Sequence, residues 1–171
     1  SVFTNQKMAI EGAIIQMFNH GIKIIGLWIV VDLIEKNTGV RKISQLGGIA
    51  HTAPFLTIML VIIALANIAL PLTNAFVGEF MMFSGLFKFN IWYASFAGIS
   101  IILAAVYTLN MVQKVFYGET NELTAKITDI SVHEKFILVV VVTAIFMTGL
   151  YPQPLFDLTK DTVTGVITIF K

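Results

Sequence analysis

One carboxylate, Glu79, lies in a long apolar stretch, eight residues after Pro71. Proline cannot donate the hydrogen bond that continues a helix, so we expect the helix to be interrupted at Pro71. An ionisable side chain in a bilayer-spanning segment is costly and usually marks an ion or proton pathway. Burial disfavours the charged form of a carboxyl and a nearby ammonium favours it, so a carboxyl held between these influences can bind and release a proton. The spacing therefore predicts proton exchange at Glu79, with a static ion pair that holds a kinked helix as the alternative.

Two more ionisable side chains, His20 and Lys23, lie three residues apart in an earlier apolar segment. That spacing predicts that they share one helix face. Histidine can relay protons because its unperturbed pKa is about 6.5, and it can equally be an inter-helix hydrogen-bonding residue. Lys23 can pair with Glu79, carry a proton itself, or pair with a helix outside this chain. We take Glu79, His20 and Lys23 as the candidate proton-translocation residues.

The chain lacks the residue groups of other common sites. It has no cysteine and three histidines, at positions 20, 51 and 133, and no two of these have a metal-ligand spacing. Disulfides, thiolate iron–sulfur clusters and cysteine-ligated zinc are thereby excluded. We also find no nucleophile–base pair and no phosphate-binding loop. The sequence therefore assigns no catalytic residue, no cofactor-binding residue and no metal ligand, and the chain alone is not expected to be an enzyme.

Composition places the chain in a membrane. It is 57% hydrophobic and 12% charged, whereas a soluble domain is about 45–50% apolar and about 25% charged. Its mean hydropathy is +0.86. The net charge of +1 is too small to indicate binding to nucleic acid. The lipid bilayer is therefore the expected surroundings.

The apolar segments predict an all-α, polytopic fold with about four transmembrane spans. About 20 apolar residues cross a bilayer core. A second segment of 34 residues would be about 51 Å long as one helix, so we expect it to be discontinuous at Pro71. In the first span, Gly12, Gly21 and Gly26 are expected to allow close helix packing. The spans are predicted at residues 6–35, 54–87, 90–115 and 133–151, with a surface tail at 155–171.

The distribution of basic residues predicts the orientation. An even number of spans leaves both ends on one side, and cytoplasmic loops carry an excess of Lys and Arg. Six basic residues flank or occupy the two long loops, namely Lys36, Arg41, Lys42, Lys114, Lys126 and Lys135. Four lie on the opposite side, namely Lys7, Lys88, Lys160 and Lys171. Both ends are therefore expected outside the cytoplasm.

Four stretches together resemble a known family. They are GAIIQMFNHGIKIIGLW (12–28), LGGIA (46–50), ALANIALPLTNAFVGEFMMFSG (64–85) and GLYPQP (149–154). They resemble the C-terminal third of the antiporter-like membrane subunits of respiratory complex I, the NADH-quinone oxidoreductase. Within that family the subunit M (chain 4) group is the best match, because of YPQP after the last span. The resemblance implies that residues 1–171 are a C-terminal fragment of a proton-translocating membrane subunit.

The resemblance also implies roles for the candidate residues. Glu79 matches the carboxylate that the family carries on its broken helix, at the end of the proton path. His20 matches the histidine of the preceding helix, on the central hydrophilic axis. Lys23 departs from the family, since many relatives have a small or uncharged residue there. NADH, FMN, iron–sulfur clusters and quinone are expected in partner subunits and none in this chain. The implied setting is the bacterial inner membrane, among other membrane-arm subunits.

Two alternatives stay open. A subunit of a multisubunit cation/proton antiporter, or of a membrane-bound hydrogenase, would share the same helices. A purely structural membrane scaffold would use Glu79 and Lys23 as a static pair. Proton pumping that depends on Glu79 would distinguish the transport functions from the scaffold.

Overall fold

The computed structural model describes residues 7–169. Within this range all of the regular secondary structure is helical. The prediction of an all-α fold is confirmed. The first residue of the first predicted span, residue 6, and residues 170–171 of the predicted tail lie outside the described residues. The α-helices are α1 (Lys7–Thr38), α2 (Ile49–Thr52), α3 (Pro54–Asn67), α4 (Asn74–Phe89), α5 (Ile91–Phe116), α6 (Val132–Leu150) and α7 (Gln153–Ile169).

Helix length separates two groups of segments. Over residues 7–169, three helices are long and apolar enough to cross a membrane, namely α1, α5 and α6. Helices α3 and α4 have 14 and 16 residues. At 1.5 Å per residue they are about 21 and 24 Å long, and each is shorter than a bilayer core of about 30 Å. Only the two helices together, one after the other, are long enough to cross the bilayer. The total of four spans stays a prediction.

Residues 68–73 separate α3 from α4, and Pro71 lies among them. Two residues of this linker that are not glycine have positive φ angles, Ala69 at 55° and Leu72 at 77°. A left-handed conformation costs an L-residue about 1–2 kcal/mol. The Thr73 amide donates to the Leu70 carbonyl at 3.1 Å and closes a turn around the proline. The linker is therefore a strained turn that surrounding contacts must hold in place. The role of Pro71 as the cause of the interruption stays a prediction.

Helix α6 packs directly on this linker at Gly149. A Cβ atom on Gly149 would lie 2.6 Å from the carbonyl carbon of Thr73 and 2.8 Å from the Asn74 nitrogen, and it would also overlap the Leu72 carbonyl oxygen. These neighbours are backbone atoms, which cannot move aside as a flexible side chain can. Strained backbone persists where its surroundings over-determine it. The absence of a side chain at Gly149 lets α6 press against the turn.

Helix α1 lies alongside both α3 and α4. A Cβ atom on Gly26 would be 3.0 Å from Ile63 of α3, and one on Gly12 would be 2.7 Å from the Met81 Cβ of α4. Close packing at these two glycines is confirmed. The prediction stays untested for Gly21, because a Cβ there would meet no described atom within 4 Å. Helix α1 therefore packs against both of the shorter helices, α3 and α4.

We define the α1–α4 seam by four small residues, Ala9 and Gly12 on α1 and Gly78 and Gly85 on α4. A Cβ atom on Gly85 would lie 2.5 Å from the Ala9 Cβ, and one on Gly78 would lie 3.0 Å from the Gly12 carbonyl oxygen. Low residue numbers on α1 meet high numbers on α4, so the helices are antiparallel. Small residues let helix backbones approach closely in a membrane.

The apolar core lies around α3, toward the two long loops. Most of its buried members come from α1, α3, α5 and α6, for example Val30, Leu56, Ile63, Phe116 and Leu138. The loop before α6 also holds the start of α3. The Asp129 carboxylate accepts the backbone N–H groups of Phe55 and Leu56 at 3.3 Å each. A carboxylate at a helix N-terminus satisfies orphan donors and matches the helix dipole.

We predict that Gly149→Ala destabilises the protein. The added methyl group would collide with the backbone of the linker, and overpacking of this kind costs about 1–3 kcal/mol. Thermal unfolding of the purified protein in detergent measures the effect, and the midpoint should fall. Gly165→Ala is the matched control, because a Cβ at that position of α7 meets no described atom within 4 Å. Equal midpoints for the two variants would contradict the packing described for the linker.

Candidate functional site

Glu79 lies in the second turn of α4 and contacts α1. The Gln16 Nε2 atom donates to the Glu79 Oε1 atom at 2.9 Å. Both side chains are partly buried. A hydrogen bond to an ionised carboxylate is roughly twice as strong as one between neutral groups. Gln16 therefore fixes the carboxylate against α1.

On its other side, Glu79 borders two adjoining cavities between α4 and α5. One has a volume of about 210 Å³ and includes Met82 and Ser100 in its lining. The other has a volume of about 170 Å³ and includes Ala69 of the linker. Phe83 lines both. The Glu79 carboxylate thus lies between an amide on α1 and space beside α5, with the linker at the edge of that space.

Two asparagines join α1 to the start of α4. The Asn19 Nδ2 atom donates to the Asn74 carbonyl at 2.7 Å, and the Asn74 Nδ2 atom donates to the Asn19 carbonyl at 3.3 Å. Both residues are 0% exposed. Non-helical backbone inside a membrane requires polar partners from the protein. This reciprocal pair supplies such partners where the linker ends and α4 begins.

The structure separates the two candidate residues of α1. Lys23 is 2% exposed, whereas His20 is exposed on the chain surface. The charges of both lie within electrostatic reach of Glu79. The Lys23 nitrogen and the Glu79 carboxylate oxygens lie more than 4.0 Å apart, so the two side chains do not form an ion pair. The ion pairs of the described residues lie elsewhere. The roles of Glu79, His20 and Lys23 in proton translocation stay predictions.

The buried face of α1 carries a polar stripe. Its members recur at intervals of three and four residues, which is the helical repeat. Each is a small or polar residue that lies toward the other helices. We call this set the α1 stripe, and it consists of Gly12, Gln16, Asn19 and Lys23. It runs from the α1–α4 seam to the level of the linker.

Several polar atoms of the site can accept a further hydrogen bond. The Gln16 Oε1, Asn19 Oδ1 and Asn74 Oδ1 atoms are buried and have no partner among the described residues. Buried polar groups are normally hydrogen-bonded, so such atoms need a functional explanation. Two of them belong to the α1 stripe and the third lies at the start of α4. Each can accept a hydrogen bond from water or from a side chain outside the described residues.

Over the described range, no group of three or more His, Asp or Glu side chains is placed to bind a metal ion. The chemistry the geometry supports is reversible protonation of one carboxylate. An amide holds that carboxylate, and a buried ammonium lies near it.

Four residues of the site were not predicted from the sequence. They are Gln16, Asn19, Asn74 and Gly149. The spacing of Gln16 and Asn19 relative to Gly12 and Lys23 would have indicated the α1 stripe. Asn74 and Gly149 offered no comparable signal, because their partners lie far away in the chain.

Comparison of the sequence with known proteins identifies a matching family. The family model described as "NADH:quinone oxidoreductase/Mrp antiporter, TM" matches residues 1–108. The chain is similar to NADH-quinone oxidoreductase subunit M of Rhodobacter capsulatus, with 32% identity over 167 residues, 97% of this chain and 33% of the relative. It is also similar to subunit M of Escherichia coli K12, with 27% identity over 168 residues, 97% of this chain and 33% of that relative.

A solved structure has the same fold. One chain of "Respiratory complex I from Thermus thermophilus with bound NADH" superposes with a TM-score of 0.90 and 25% identity. The match covers 99% of this chain and 36% of that chain. The chain thus spans about a third of the length of the curated relatives reported above.

We predict that Asn19→Leu destabilises the protein more than the matched change Asn110→Leu. The first substitution leaves the buried Asn74 carbonyl without its side-chain donor, at a cost of about 1–3 kcal/mol. Asn110 is exposed on α5, so its replacement should have little effect. Thermal unfolding in detergent compares the two variants. If Asn19→Leu unfolded at the same temperature as Asn110→Leu, the asparagine pair would have no stabilising role.

Proposed function

The chain belongs to the NADH:quinone oxidoreductase/Mrp antiporter transmembrane family, and on that premise we propose that it forms part of a proton-translocating membrane-arm subunit of respiratory complex I. The observation that carries the proposal is the position of Glu79. This carboxylate lies two turns beyond a helix interruption, hydrogen-bonded to an amide and bordered by cavities. Discontinuous helices with ionisable residues are typical of inverted-repeat transporters.

In this proposal, redox chemistry takes place in partner subunits. NADH oxidation there involves FMN, iron–sulfur clusters and quinone, and the released free energy reaches the membrane arm as changes in charge and conformation. Glu79 binds a proton when nearby positive charge is withdrawn and releases it toward the outer face when that charge returns. Because interactions between charges are strong in a medium of low dielectric constant, a small displacement of a buried cation suffices.

Lys23 and His20 are the proposed sources of that charge. Lys23 is buried and close enough to influence Glu79 while remaining outside ion-pair distance. A cation at such a distance can strengthen or weaken its interaction by small side-chain movements. His20 lies on the exposed side of α1, where a helix of the remaining subunit would contact it. We propose that His20 passes protons from that helix toward Glu79.

The proposed location is the bacterial inner membrane, as a multi-pass protein with both ends of the chain outside the cytoplasm. The partners are other membrane-arm subunits and the lipid bilayer. Pro71 is the proposed cause of the interruption that places the start of α4 inside the membrane.

A second candidate function is cation/proton antiport, alone or within a membrane-bound hydrogenase. The description of the family favours it, since that description names Mrp antiporters beside the oxidoreductase. Proton movement that requires NADH would distinguish complex I from an antiporter. The scaffold alternative relies on a static pair of Glu79 and Lys23, and the spacing of these residues beyond 4.0 Å does not support it.

We predict that Glu79→Gln abolishes proton pumping. The amide resembles the carboxyl in shape but cannot bind and release a proton, so NADH-driven acidification of membrane vesicles should fall roughly tenfold or more. The vesicles carry the complete complex with the full-length subunit, and its assembly is checked in parallel. Glu122→Gln, in the exposed loop after α5, is the matched control and should pump normally. An assembled Glu79→Gln complex that pumps like the control would refute the proposed function.

A further inference from the structure

We propose that the Gln16 side-chain amide is a positioning group that rotates by half a turn as Glu79 binds and releases its proton. One orientation of the amide serves the carboxylate and the other serves the carboxylic acid. The proposal rests on the proposed function of Glu79, and it adds a residue to which the comparisons assign no role.

The present orientation suits an ionised Glu79. The Gln16 NH₂ group points at the carboxylate and donates at 2.9 Å. A carboxylate can only accept hydrogen bonds, so an NH₂ group is the correct partner. The other end of the amide, the Gln16 Oε1 atom, is buried and has no hydrogen-bond partner among the described residues.

The space on the Oε1 side is lined by another acceptor. A Cβ atom on Gly78 would lie 2.7 Å from the Gln16 Oε1 atom and 3.0 Å from the Gly12 carbonyl oxygen. Two oxygens therefore border one small space beside Gly78. A rotation of the amide by half a turn would bring its NH₂ group to this space, beside the Gly12 carbonyl. The Oε1 atom would then point toward Glu79.

The rotated orientation suits a protonated Glu79. A carboxylic acid carries an O–H donor, and the Gln16 Oε1 atom would accept it. Gln16 gains and loses no proton in this step. Glu79 alone binds the proton and, as in the proposed function, releases it toward the outer face. By rotating, Gln16 keeps a hydrogen bond with Glu79 in both protonation states. The carboxyl group therefore stays in one place throughout the cycle.

The seam makes the rotation possible. Gly78 has no side chain, and this leaves the space next to the amide open where the α1 and α4 backbones meet. A glutamine is also the right length to reach from α1 to Glu79 on α4.

The test uses infrared difference spectroscopy of the complete complex, with Gln16→Met as the variant. A band from the carbonyl of protonated Glu79 should appear during the redox cycle and should be absent in Glu79→Gln. In Gln16→Met that band should move to higher wavenumber, because the acid loses its acceptor, and NADH-driven pumping should fall severalfold. Gln113→Met, exposed on α5, is the matched control and should move neither quantity.

The outcomes separate the two proposals. If a Glu79-dependent band exists but keeps its position in Gln16→Met, the role of Gln16 is refuted and the proposed function stands. If the wild-type complex shows no band that depends on Glu79, both fail. Should Gln16→Met not assemble, Gln16→Asn takes its place, since its amide is one methylene group short of Glu79; the same band shift is expected.

Discussion

Along the α1–α4 seam, two antiparallel helix backbones meet at Ala9, Gly12, Gly78 and Gly85. In lipid no hydrophobic driving force favours helix association, and small residues that allow close van der Waals contact provide it instead. Because the backbones are so close, a side chain of moderate length on one helix reaches the other. Gln16 therefore reaches Glu79, and other contacts between α1 and α4 follow from the same approach.

The interrupted helix depends on the same approach. The linker carries two strained residues, Ala69 and Leu72, and α6 presses on it from one side through Gly149. From the other side Asn19 of α1 binds the start of α4. The strain is thus held between two helices, as is common where backbone conformation serves function. It fixes where α4 begins and presents Glu79 to the cavities beside α5.

The sequence predicted the helices well, since long apolar segments have few alternatives in a bilayer. It also singled out Glu79 and the region of Pro71, because one charge and one proline stand out against apolar neighbours. It could not decide which face of α1 is buried. Lys23 is three residues from His20 and four from Asn19, and both spacings fit one helix face. In the folded chain Lys23 is buried together with Asn19, whereas His20 is exposed. Only tertiary structure could show this, because Asn19 and its partner Asn74 are 55 residues apart.

The most direct test of this account adds one methyl group to the seam and leaves every polar side chain unchanged. Gly78→Ala would place a Cβ atom 2.7 Å from the Gln16 Oε1 atom. Gly21→Ala on α1 adds the same group where no described atom lies within 4 Å. The measurement is NADH-driven proton pumping by the assembled complex. The account predicts that Gly78→Ala displaces the amide from Glu79 and lowers pumping severalfold, as Gln16→Met does. Normal pumping in Gly78→Ala would show that the seam does not position Glu79.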